Sequence, residues 1–211
     1  MSAEFVRGKQ SGTATTLSIT SATKGNLLVA FININGAGSK VPVCEDNLGS
    51  GWHTNTEPAI FVTYSLWMST KIASGGENLI KPKIEGEGEI AGIGYFELSN
   101  AGIEDIYSIK SNTSNARKLT SSSFSTSEAN DIVLAAVGIG GLSGEINAWT
   151  ETGPLTNIET ATARVICGYY VPGVKLTSAK VTANWSTVHT CAMIVVAFKE
   201  EAAGKLLAMI V

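Results

Sequence analysis

Residues 25–35, GNLLVAFININ, constrain the fold of this chain more than any other stretch. Gly25 and Asn26 supply turn chemistry before Leu27, Leu28, Val29, Ala30, Phe31 and Ile32. The run then alternates, with Ile32 and Ile34 against Asn33 and Asn35, and it stops at Gly36. Apolar and β-branched residues with a period of two, bounded by turn residues, specify a β-strand. About a hundred residues on, residues 130–140 (NDIVLAAVGIG) repeat the pattern. These two segments are expected to be the central strands of one β-sandwich.

Composition supports an all-β chain. Of 211 residues, 44% are hydrophobic and 16% charged, which excludes a disordered chain. The 22 glycines and the many Ser and Thr fit turns and hydroxyl-bearing strand faces. A net charge of -3 without a basic stripe argues against a nucleic-acid partner. No run of 18 apolar residues is present, so no transmembrane helix and no membrane partner are expected. The first residues, MSAEFVRGKQSGT, lack the apolar centre of a signal peptide, so the chain is expected either to be made and released in a cytoplasm or to have had its signal removed. Cys44, Cys167 and Cys191 are odd in number and lack CxxC spacing, so neither a disulfide framework nor a zinc knuckle is expected.

Residues 1–10 read as an N-terminal arm and residues 12–20 as a first strand. Residues 59–72 read as one strong strand, and residues 78–85 as another in which Pro82 marks an edge or a bulge. Residues 89–99 close the first half, and residues 112–123 begin as a polar loop. The second half then replays the first. Asn26 to Asn130 is an offset of 104, Trp52 to Trp149 of 97, and Phe96 to Phe198 of 102. The pseudo-repeats are 11–102 and 116–199, together one domain over 11–199. A half of four or five strands leaves one sheet face bare. One sandwich in which two halves cover each other is therefore favoured over tandem small sandwiches. The expected fold is a single two-sheet β-sandwich of jelly-roll type, built from two similar halves of about four strands each.

Residues 200–211 change character. KEEAA is charged, Gly204 breaks it, and KLLAMIV is apolar to the end. Leu206, Leu207, Met209, Ile210 and Val211 either pack on the same domain or form an assembly tail that docks on a neighbouring subunit, for example by adding a strand to its sheet.

No catalytic constellation is present. His53 and His189 fall in non-corresponding places, and the GxSxG and HExxH signatures are missing. Glu85, Glu87 and Glu89 alternate with glycines and would line one face of a strand, an arrangement open to a hard cation. The simpler reading is a solvated hairpin tip, and the same holds for Glu45, Asp46 and Asn47. No enzyme activity, no cofactor and no metal are expected. Trp52 and Trp149 follow the first loop of each half and are the candidates for stacking on a sugar ring; as repeated tryptophans they serve equally as core plugs.

The run ATKGNLLVA, the loop ending DNLGSGW, then VTYSLWMSTKIASGGENLIKPKI and FELSNAG resemble β-sandwich modules of bacteriophage virion proteins and bacterial surface proteins. The resemblance spans residues 12–199. It implies a jelly-roll or lectin-like sandwich used for decoration, adhesion or assembly, and it carries no functional residues. A virion protein assembled in the host cytoplasm, homo-oligomeric and bound to other virion subunits, is the first expectation. A carbohydrate-binding module or adhesin for surface glycans is the alternative.

Overall fold

The computed structural model describes residues 3–11, 15–36, 40–49, 51–85, 88–140, 146–151, 156–157 and 164–200. These residues form strands and turns, with no helix among them. In the first half the strands are β1 (Glu4–Ser11), β2 (Leu17–Ser18), β3 (Leu27–Asn35), β4 (Val43–Asp46), β5 (His53–Thr54), β6 (Ala59–Phe61), β7 (Tyr64–Ile72), β8 (Leu79–Lys83) and β9 (Glu89–Ser99). The second half has β10 (Ala101–Thr120), β11 (Ile132–Ile139), β12 (Ile146–Glu151), β13 (Thr156–Asn157), β14 (Val165–Tyr170) and β15 (Val181–Glu200).

Each half builds its own main sheet, and the two sheets share one order. The first runs β1-β9-β3-β7-β5 and the second β10-β15-β11-β14-β13. A small third sheet, β2-β8-β4, belongs to the first half. Its counterpart in the second half comes from the inner ends of two long strands. The start of β15 pairs with the end of β10 on one side and with β12 on the other.

The main sheets cover each other through a core containing Val29, Phe31, Phe96 and Leu98 on one side and Leu134, Ala136, Ile194 and Val196 on the other. Each sheet is also buried on its outer face. Leu28, Ala30, Ile32, Trp67 and Tyr95 pack with Leu17, Cys44 and Ile80 of the small sheet. Val133, Ala135, Met193 and Val195 pack with Phe124, Leu176, Ala179 and Trp185. The described strands thus form more than the two sheets expected. Burial on both faces is why residues 27–32 of β3, the whole of β11 and residues 191–198 of β15 are apolar without interruption, whereas a half-solvated strand would alternate.

Several local expectations change. The segment expected as an arm contains β1, paired with β9 from Glu4↔Ser99 to Ser11↔Ile93. Residues 112–120, expected as loop, continue β10. Residues 59–72 form a hairpin in place of one strand, because Val62 takes φ 55° and turns the chain between β6 and β7. Pro82 sits where β8 is flanked by β4 alone, since β2 reaches only Leu79 and Ile80. That local edge is where a residue lacking an N–H is tolerated. Register also refines the repeat. Leu27 lies opposite Leu98 and Ile132 opposite Phe198, so Phe198 matches Leu98 and not Phe96.

Candidate functional site

The turn after β4 folds around Asp46, whose Oδ1 accepts the Leu48 N–H at 2.8 Å while Gly49 takes φ 108°. A short acidic side chain closing its own turn is a common local motif. Its Oδ2 accepts the Trp52 indole N–H at 2.8 Å and lies 2.6 Å from Lys71 Nζ. Lys71 comes from β7 and points toward the small sheet. The loop from β7 to β8 turns on Gly75 (φ 93°) and Gly76 (φ 96°), and so returns the Glu77 carboxylate to the Ser74 and Gly75 N–H groups. Glu77 Oε1 is 3.3 Å from Lys71 Nζ. The side chains of Asp46 and Glu77 are fully buried and that of Lys71 is 7% exposed.

Burial by itself opposes the charge on Lys71, but the hydrogen bonds to Asp46 and Glu77 outweigh it and raise its pKa. Burial likewise works against an ionised Glu77, and the backbone N–H groups together with Lys71 overcome it and lower its pKa. The Cys44 thiol is pushed up by burial, with the Asp46 charge adding to the effect. A carboxylate whose folded pKa is depressed stabilises fully above its unfolded pKa and loses that contribution as pH falls through the folded value. For Lys71, raised above 10.5, the contribution is complete below the unfolded value and lost as pH rises through the folded one. Denaturant unfolding across a pH series is therefore expected to show stability falling below about pH 4.5. The Glu77→Gln variant should have a shallower acid limb; an unchanged limb would assign it to other carboxylates.

A second polar centre lies at the entrance to β3. Glu97, fully buried on β9, accepts the Thr23 N–H at 2.9 Å and the Asn26 amide at 2.7 Å. Its other oxygen faces Arg7 Nε of β1 at 2.7 Å and the Tyr95 hydroxyl at 3.3 Å. Burial raises the Tyr95 pKa, and the Glu97 charge adds to this.

A cleft of about 180 Å³, lined by His53, Asn55, Thr56, Glu57 and Tyr107, opens where the halves meet. Tyr107 donates to the Glu57 carbonyl at 2.6 Å. Burial raises the pKa of the Glu104 carboxyl, against a hydrogen bond from Asn55 and the nearby His53, which lower it. The cleft contains no nucleophile paired with a base. His189, on β15, hydrogen-bonds Thr187, and burial lowers its pKa.

Trp52 is half-buried against the outer core, with its indole N–H committed to Asp46. Trp149 lies within β12, its backbone opposite Ala183, so the two tryptophans do not hold equivalent places in the fold. Glu45 pairs with Lys83 at 2.6 Å, and Asn47 binds the Asn78 N–H. Glu89 faces Asn35, with Arg164 at 3.8 Å, and Glu87 lies outside the described residues. The assembly-tail residues Leu206, Leu207, Met209, Ile210 and Val211 also lie outside them. Among the described residues no group of three or more His, Cys, Asp or Glu side chains is placed to hold a metal ion. No described helix is long and apolar enough to cross a membrane.

Lys71 and Glu77 did not stand out in sequence, since a lysine near a strand end reads as solvated. The one signal was Glu77 directly after a Gly-Gly turn, a position able to cap that turn. Comparison with protein-family models, with curated proteins and with solved structures returned no match to this chain.

Proposed function

We propose that this chain is a structural, non-enzymatic virion subunit of a bacteriophage capsid or tail, acting through contacts with other protein subunits. We infer further that each half is a small jelly roll, in place of one jelly roll assembled from both. In the first half β1-β9-β3-β7 faces β2-β8-β4, the alternation between layers that two interlocked Greek keys produce. The second half follows the same order with β10, β15, β11 and β14.

The observation that carries the subunit role is the edge strand β4. It pairs with β8 on one side, and Val41, Val43 and Leu48 on and beside it are each about half exposed. Apolar side chains beside a strand edge suit an added strand from a neighbour. The buried charges support the reading as well, because each is engaged by partners within the fold and they do not converge on a cleft. The apolar residues 206–211 fit the same role.

Light scattering tests it. The full chain is expected to be oligomeric, and a chain ending at residue 204 to be monomeric with its denaturation midpoint unchanged. A full chain that is monomeric at every concentration would sink the proposal. Glycan binding that is lost in Trp52→Phe without loss of fold would favour the carbohydrate-binding alternative.

A further inference from the structure

We propose that Lys71 and Asp46 condense into an intramolecular isopeptide bond, with Glu77 as the proton carrier. The inference is independent of the virion reading and rests on the geometry of the three side chains.

The reacting groups are already in contact. Lys71 Nζ sits 2.6 Å from Asp46 Oδ2, and their side chains are 7% and 0% exposed. Contact held by the fold replaces an encounter in solution, which is worth several orders of magnitude in effective concentration. The atoms balance without any outside reactant. An ammonium and a carboxylate give an amide and one water. Nζ attacks Asp46 Cγ, the Cγ–Oδ2 bond breaks, and both protons surplus to the amide leave on Oδ2.

Each neighbour has a part in that step. The ion pair holds the proton on Lys71, so the slow step is its transfer to Glu77 Oε1, 3.3 Å from Nζ, which then passes it to the departing oxygen. Asp46 Oδ1 carries the negative charge that develops at the tetrahedral stage, and it already accepts the Leu48 N–H at 2.8 Å. The Trp52 indole N–H steadies Oδ2 at 2.8 Å.

The driving force comes from burial. The triad encloses one positive and two negative charges in a nearly dry space beside the outer core, and charges so placed are costly even when paired. Condensation removes one charge of each sign and leaves a neutral amide. The water formed leaves, and the packed surroundings keep out the water that would reverse the reaction. The product would tie β4 of the small sheet to β7 of the main sheet, a covalent staple across two layers.

The test is intact-mass spectrometry of the purified full chain, followed by peptide mapping. The expected result is a chain one water lighter than its sequence. Mapping should find a branched peptide in which Lys71 is joined to Asp46. Lys71→Arg keeps the positive charge but offers no amine, and it should restore the full mass. Glu77→Gln should slow water loss by about a hundredfold or more. The alkaline limb of stability should also disappear in the linked chain, because its ammonium has been consumed. A wild-type chain of full mass, fresh and after prolonged incubation, would overturn the proposal. Water loss mapped to a single unbranched peptide at Asp46 and Asn47 would do the same, since that marks a cyclic imide. Both readings use the wild-type chain, so they hold even if Lys71→Arg fails to fold.

Discussion

Glu97→Ala is expected to destabilise the chain by about 3–5 kcal/mol, the usual consequence of removing one member of a buried charged network. The carboxylate is fully buried, accepts hydrogen bonds from the Thr23 N–H, the Asn26 amide and the Tyr95 hydroxyl, and forms an ion pair with the Arg7 guanidinium. Alanine would leave these donors facing a cavity, and each unsatisfied buried donor carries a desolvation penalty of about 1–3 kcal/mol. Arg7 belongs to β1, while Thr23 and Asn26 lead into β3, so the loss should loosen β1 from β9 first. Urea unfolding would give the magnitude, and hydrogen exchange would show early opening of residues 4–11. Glu97→Gln keeps the shape but not the charge and should fall between wild type and alanine. A Glu97→Ala loss below about 1 kcal/mol would mean that water enters and replaces the carboxylate.

Gly94→Ala is expected to cost about 3 kcal/mol, the upper end for overpacking a close-packed interior. A Cβ at Gly94 would collide with Cys167 Sγ and lie 3.1 Å from Val165 Cγ1, both on the facing sheet. Gly94 thus sets how closely β9 approaches β14. At the same level Gln10, paired with Gly94 in the β1–β9 ladder, reaches across to accept the Cys167 N–H at 2.9 Å. Added bulk would press the sheets apart and strain that bond. The double variant Gly94→Ala with Cys167→Ala removes the obstructing sulfur and should recover part of the loss. If the two single losses simply add, the strain does not arise from this contact.

Much of the strand content was legible in the sequence. The turn at Gly25, the run from Leu27 to Asn35 and its replay at 132–139 emerge as β3 and β11, because alternation and turn chemistry are local properties of neighbouring residues. The hairpin at Val62 is not legible in the sequence because a β-branched residue at positive φ leaves no mark in a strand-like pattern. The strand β1 is not legible for a related reason. Its partner β9 begins 78 residues after β1 ends, and five of its own eight residues are polar or charged.

The polar centres were the least legible. Glu97 lies inside an apolar strand and reads as an irregularity until Arg7 and Asn26 are brought beside it. Lys71 and Asp46 are 25 residues apart in the chain and sit on strands of different sheets. Nothing in either local sequence marks them as a contact pair. Trp52 was legible as a residue of interest, and its partner Asp46 was legible as an acidic turn residue, but not the bond between them.

By itself the sequence determined an all-β chain, its principal strands and the doubling of one strand pattern, because these follow from backbone preferences and a two-residue period. The tertiary structure alone decided which faces meet. A strand that is apolar on both sides carries no polar face to orient it, so its pattern is the same whether one layer or two will cover it. Only in the fold do β3 and β11 lie at the centre of stacked layers. Only there do Lys71, Asp46 and Glu77 become a dry cluster in place of three solvated charges.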